Sequence, residues 1–404
     1  MTRNPMLRPG GNWFRVASLA LLVHLGMGSA SAEPMIPTND DTILEHLPGA
    51  GDKAARTARG LRSLLAHAPG QIDLALRVAH DEMALGRAEG DPRYYGRAES
   101  ALEPWLHLPD PPAPVRLARA TLLQNRHDFD GALVDLDALI AADPKNAQAL
   151  LIRATVRQVR GEYQGAAADC RALSDLAQPP VTRVCLAAID GLTGHAEAAL
   201  DQLKSATLAL RENSEPDLAL WSLTIAGEIA ARLDRPAAAE AAFRDARALG
   251  RRDVYLLGAY ADFLLDQGRP AEVVDLLKTE VRVDPLLLRL AMAERLTGAP
   301  EADAHVADLG RRFDTARLRG DTIHQREEAR FQLALMHRPD AALALARANW
   351  GVQREPADAR IFLEAAEAAG RPEAASPVLA WYGANHIEDT RIAALIARLF
   401  PGRS

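Results

Sequence analysis

The chain has 404 residues, too many for one compact core by the usual domain prior. Hydrophobic residues make up 48% and aromatics only 5%. The apolar content is therefore mostly Ala and Leu, and no run of alternating β-branched residues argues for sheet. The formal net charge is −7, which removes the electrostatic reason to bind nucleic acid.

In chain order, residues 1–32 differ in kind from the rest. Arg3, Arg8 and Arg15 precede an apolar run from Val16 to Leu25, and small residues follow to Ala30-Ser31-Ala32. These are the parts of a cleavable secretory signal, with the cut expected after Ala32. The alternative is a retained membrane anchor. The run falls short of the roughly 20 residues a span needs, and His24 interrupts it. No cysteine lies near the cut for a lipid. Removal of three arginines takes the formal charge to about −10. A periplasmic or secreted protein with no remaining span is expected.

Residues 33–52 read as an extended arm with one short helix. Prolines punctuate it, and Thr38-Asn39-Asp40-Asp41 offers caps before Ile43 and Leu44. Residues 53–110 read as atypical helical hairpins: a pair from Lys53 to His67 and Ile72 to Gly86, a turn at Gly90-Asp91-Pro92, and a helix from Tyr94 to Trp105. The prolines between Pro109 and Pro114 make a stiff connector.

Over residues 113–285 the chain repeats itself. Leu117, Arg119, Ala120, Thr121 and Gln124 recur 34 residues later as Leu151, Arg153, Ala154, Thr155 and Gln158. His127, Phe129, Ala132 and Leu139 align with Gly161, Tyr163, Ala166 and Leu173. A period of this length signals two antiparallel helices stacked on a copy of themselves. Ala120 and Ala132, like Ala154 and Ala166, are small where two helix axes come within about 8–10 Å.

These residues resemble the tetratricopeptide repeat family: a small residue in helix A, glycine at the turn (Gly161, Gly268), an aromatic opening helix B (Phe129, Tyr163), alanine three residues on (Ala132, Ala166) and proline at the unit's end (Pro144, Pro285). Pro270 replaces the aromatic in one unit, and the family's tryptophan gives way to Arg116 and Leu150. The stretches Gly90 to Trp105 and Asn125 to Leu133 also look like exported bacterial tetratricopeptide proteins, a group that supplies no reaction or ligand to carry over. The resemblance implies an all-α right-handed superhelix, an α-solenoid of about nine hairpins, with degenerate repeats over 286–400. It implies a non-enzymatic scaffold for a protein or peptide. It places the hollow face on Leu117, Thr121, Gln124, Gln148, Leu151, Thr155 and Gln158. That face is amides, hydroxyls and leucine. It lacks the Lys, Arg and Asn with which related modules clamp a terminal carboxylate, so an extended peptide of mixed character suits it better. Repeat duplication alone would also produce the recurrence.

Arg119 and Arg153 fall where the family has an apolar residue, so each needs a carboxylate, and Asp135, Asp137 and Asp169 on helix B are candidates. Cys170 and Cys185 sit on consecutive helices by the repeat register. If the first helix ends near Leu176 they share a height, and an oxidising compartment favours a disulfide. Two buried small hydrophobes are the other reading.

Catalytic signatures are missing. No histidines pair at metal-ligand spacing, the cysteines are not CxxC, and no GxSxG, P-loop or GxGxxG occurs. No metal or cofactor is expected. The stretch holding Arg311, Arg312, Arg317, Arg319, Arg326 and Arg330 is interleaved with acids and reads as an ion-paired exposed face, or as a contact for an acidic partner. A structural subunit of an envelope or secretion assembly is the alternative function. An enzyme would require a deep pocket with clustered titratable groups.

Overall fold

Twenty α-helices follow one another with no strand among the described residues, in a computed structural model that describes Asn39 and residues 53–402. The chain divides into two units, Met1–Gly51 and Asp52–Ser404, and the helices belong to the second. The expected signal, its cut and the arm's short helix lie outside the described residues.

After α1 (Lys53–His67), nine antiparallel pairs follow. They are α2 (Ile72–Glu89) with α3 (Arg93–Leu106), α4 (Ala113–Asn125) with α5 (Phe129–Ala142), and α6 (Ala147–Val159) with α7 (Tyr163–Ala172). Next come α8 (Pro179–Asp190) with α9 (Ala196–Glu212), α10 (Pro216–Arg232) with α11 (Pro236–Ala248), and α12 (Val254–Asp266) with α13 (Pro270–Leu277). The last three are α14 (Asp284–Thr297) with α15 (Ala302–Leu318), α16 (Gln325–Ala334) with α17 (Pro339–Trp350), and α18 (Pro356–Ala368) with α19 (Ser376–Ala384), which a 3-10 turn (Pro372–Ala375) precedes. α20 (Thr390–Leu399) ends the array and packs on α18.

The first hairpin differs in partner from the sequence reading. α2 packs most closely on α3, not on α1. Ala75, Ala79 and Met83 of α2 share a core with Ala98, Leu102 and Leu106 of α3, and Gly90 makes the turn between them with φ +64°.

That turn sets the rule for the whole array. Each of the nine pairs turns through one left-handed residue: Gly90, His127, Gly161, Gly194, Asp234, Gly268, Gly298, His337 and Gly370. A left-handed residue ends helix A and reverses the chain within a few residues. Glycine adopts it freely; His127, Asp234 and His337 pay a steric cost. His127 and Gly161 thus do the same job 34 residues apart, although their side chains differ.

Pro285, read as a unit's end, is a helix start, and it is not alone. Pro114, Pro180, Pro285 and Pro356 sit in the first turns of α4, α8, α14 and α18, where no backbone N–H is needed. Pro270 likewise opens α13, at the position where Phe129 and Tyr163 open α5 and α7.

Packing inside a hairpin follows the small residues. Ala120 and Ala132 are fully buried, with Phe129, Leu136 and Leu139 closing the same core. Cys170 and Cys185 are bonded, with their Cα atoms 5.6 Å apart, and tie α7 to α8. α7 ends at Ala172, short of the Leu176 end on which the equal height of the two cysteines is conditioned. Residues 173–177 form turns instead, and Cys170 meets Cys185 from the last turn of its helix.

The array continues past Pro285 and curls until its later pairs meet its earlier ones. Trp350, Phe362, Trp381 and Ile392 share one core with Leu150, Tyr163, Cys170 and Ile189. The Arg354 N–H donates to the Val159 carbonyl at 2.7 Å, and the Ala196 N–H donates to Glu388 at 2.7 Å. Gly161 lies where a Cβ would press on Arg354 and Trp381 at 3.4 Å. At the other end, Arg252 pairs with Glu89 at 2.9 Å and Glu280 at 2.6 Å. Among the described residues no helix is long and apolar enough to cross a membrane.

Candidate functional site: a charged central cavity

Curling forms an open cavity of about 1010 Å³, at the upper end of ligand clefts. First helices of successive pairs form most of its wall: α4, α6, α8, α10, α12, α14 and α18 each contribute residues or their flanking turns. Of the seven residues expected on the hollow face, Gln158 alone reaches this wall. Gln124 is partly buried, and the next residue, Asn125, lines the cavity instead. Thr121 and Thr155 donate their hydroxyls to Leu117 O and Leu151 O one turn back, at 3.1 and 3.0 Å. Leu117 and Leu151 pack against the cores between hairpins. Gln148 is exposed outside the cavity wall.

The wall is charged rather than neutral, carrying nine arginines and seven carboxylates. One sector, built by α10, α12, α14, α16 and α18, is balanced. There Tyr255 donates to Glu228 Oε1 at 2.7 Å, and Arg326 donates to Glu355 Oε2 at 3.0 Å. Arg289 holds Asp262 at 2.6 Å. Asp358 is buried beside Arg326, accepts from Asn349 at 2.8 Å, and accepts the Glu355 N–H at 2.8 Å to start α18.

This environment moves the titrating groups. Burial pushes the Glu355 carboxyl up to about 7, with Arg326 opposing and the charges of Asp358 and Glu228 adding to the rise. Burial also raises the Glu228 carboxyl, against the pull of Arg232. Tyr255 is 57% exposed, but to the cavity. Enclosure, and then the charge of Glu228, hold its hydroxyl well above the ordinary range. Burial would lower the Arg326 guanidinium; Glu327, Asp358 and Glu355 outweigh it and keep the charge in place. His127, at a turn facing the cavity, is lowered to about 4 by burial and then by Arg326, so it is neutral at pH 7.

The arginine-rich stretch, expected as an ion-paired exposed face or a contact for an acidic partner, divides in two. Its ion pairs exist: Arg312 holds Asp284 at 2.7 Å and Asp308 at 2.5 Å, Arg317 pairs with Asp314 and Glu328, and Arg330 pairs with Glu364. But Arg311, Arg312, Arg319 and Arg326 line the cavity. The repeat period could not show this, because the later units depart from the 34-residue register that locates helix A.

Arg119 and Arg153 find the partners foreseen. Arg119 makes a two-pronged pair with Asp135 at 2.7 and 2.6 Å. Arg153 makes one with Asp169 at 3.0 and 2.6 Å and reaches Asp137 at 2.7 Å. The pairs repeat with the sequence and join helix A to helix B in each unit.

The helical hairpins with their left-handed turns are a tetratricopeptide-type repeat fold. No family profile matches the sequence, and no curated protein does. Solved structures do. The chain is similar to a chain of the APC/C hetero-tetramer Cut9–Hcn1, at 13% identity and TM-score 0.44, over 86% of this chain and 59% of that one. A tetratricopeptide repeat protein from Parabacteroides merdae is similar at 16% identity and TM-score 0.33, over 71% and 98%. A Rap protein complexed with competence and sporulation factor is similar at 13% identity and TM-score 0.46, over 86% and 94%. The chain thus spans less than two thirds of the Cut9–Hcn1 chain it matches.

Proposed function

We propose that the protein is a non-enzymatic interaction scaffold that holds a segment of a partner protein in its central cavity. The observation that carries this reading is the cavity itself. Helix A of pair after pair lines it, it is large enough for a peptide stretch, and its wall mixes arginines with Val254, Ile225 and Ile323. Peptide recognition uses such walls: apolar pockets fix side chains, and charged groups fix register. The signal-like residues 1–32 support placement in a bacterial envelope, in the periplasm or secreted. A permanent place in an envelope assembly remains the alternative, distinguished by obligate co-purification with one complex.

The test compares capture from an envelope extract by the protein and by Ala357→Trp. Ala357 is exposed and lines the cavity, so the indole fills space without entering the core. A co-purifying protein lost on filling supports the reading. Identical capture by both forms moves the partner outside the cavity.

A second reading rests on one observation. Glu355, Glu228, Tyr255 and Arg326 are clustered titratable groups around a cavity, and such clusters also mark catalytic sites. Turnover of a generic ester, glycoside or peptide substrate that disappears in Glu355→Gln would replace the scaffold with a hydrolase.

A further inference from the structure

The cavity's charges are not evenly spread. Away from the balanced sector, the wall formed by α2, α4, α14 and α15 with their turns carries six arginines against Asp253, Asp284 and Asp321. Those three carboxylates are engaged. Asp253 accepts the Leu256 N–H at 2.8 Å, Asp321 accepts the Ile323 N–H at 3.0 Å, and Asp284 holds Arg312. Among the described residues Arg311 reaches only Asp308, on its own helix and outside the cavity. Arg87 and Arg319 are exposed on the wall and make no ion pair among the described residues. Arg311 and Thr315 of α15 and Arg319, which caps it in helical conformation, follow at intervals of four and so share one face. Arg126 on the same wall donates to Glu99 at 3.0 Å, so the guanidinium groups this sector leaves for an occupant are Arg87, Arg319 and, beside its bond to Asp308, Arg311.

We infer that the occupant is an acidic peptide segment with apolar side chains, its carboxylates seated against Arg87, Arg311 and Arg319. The inference rests on the scaffold reading and names the chemistry of its ligand. Guanidinium groups pair with carboxylates in two-pronged fashion, and the cations on this wall are all arginine. Phosphate would satisfy the same groups, but a nucleic acid carries a charge at every residue. Its strand would have to run past Glu228, Asp262, Glu327 and Glu355 in the other sector. A peptide places its acids on the cationic wall and neutral side chains beside Ile225, Val254 and Ile323.

The experiment is fluorescence anisotropy with four labelled probes on the purified full-length protein. Three are twelve-residue peptides of alternating leucine with glutamate, glutamine or lysine; the fourth is a twelve-nucleotide DNA strand. The glutamate peptide is expected to bind at least about tenfold tighter than the glutamine peptide. Arg311→Glu with Arg319→Glu should remove that advantage while helical circular dichroism and the melting midpoint stay near wild type. Ala357→Trp should abolish binding of every peptide. Equal binding of the glutamate and glutamine peptides, both lost in Ala357→Trp, overturns the acidic preference and leaves the cavity reading standing. Tighter binding of the DNA strand overturns the inference in favour of a nucleic acid. Binding that Ala357→Trp leaves unchanged, or no binding at all, overturns the cavity reading with it.

Discussion

Arg153 shows how one side chain joins two helices. Its side chain is 14% exposed and grips Asp169, whose side chain is 4% exposed, while Arg157 reaches the same carboxylate at 2.8 Å. Arg153→Met leaves Asp169 buried with one cation instead of two. Breaking a buried pair costs about 3–5 kcal/mol, and the remaining Arg157 reduces this toward about 2 kcal/mol. A lower melting midpoint checks it, with Arg153→Met combined with Asp169→Leu expected to recover most of the loss. An unchanged midpoint in the single variant would show that the pair contributes nothing. Glu355 gives a second prediction. Its folded carboxyl titrates near 7, and burial is the first cause. Between about pH 4.5 and pH 7 the folded state therefore keeps a proton that the unfolded chain releases. Stability is fully present below that window and declines as pH rises through it. Glu228 and Asp358, raised in the same direction, contribute with the same sign, and Arg326 opposes. Glu355→Gln should lose less stability than wild type between pH 5 and pH 8 in thermal unfolding. Identical slopes would remove Glu355 from the effect.

At the scale of elements, the repeat is held by turns, small residues and one covalent tie. The disulfide closes a 15-residue separation between α7 and α8, and a loop of that size corresponds to about 3 kcal/mol. Reduction under native conditions should lower the melting midpoint by several degrees. Protein recovered from a periplasm should show the linked peptides by mass spectrometry, and free thiols there would refute the bond in the cell. The hairpins from Ala113 to Ala172 were legible because three signals coincide: a 34-residue period, alanines at the crossings and aromatics opening helix B. The first pair was less so. Nothing local distinguishes α1 from α3 as the partner of α2; the shared core of Ala98 and Leu102 decides it. Prolines misled in one respect, since a residue that cannot continue a helix is equally suited to start one.

For the helical unit as a whole, closure decides the chemistry. Trp381 is 7% exposed, meets Trp350 edge to face at 5.4 Å and lies against Gly161. Trp381→Ala should cost about 3–5 kcal/mol. It should also loosen the docking of α18–α20 on α6–α8, seen as a larger radius of gyration in solution scattering. A destabilised variant of unchanged size would show that closure does not depend on this residue.

By itself the sequence determined an all-helical repeat, the pairing of helices in the units between Ala113 and Ala172, and the Arg–Asp ties within them. Those features are set by spacing along the chain, which a period of 34 makes visible. Tertiary structure alone decided what the hollow contains. Glu355, Tyr255, Arg319 and Arg87 lie far apart in sequence and become one wall only when later pairs pack on earlier ones. Leu151, expected on the hollow face, packs instead against the core that the later pairs share with the earlier ones. Small angles between successive hairpins accumulate over nine units, and no local pattern records their sum.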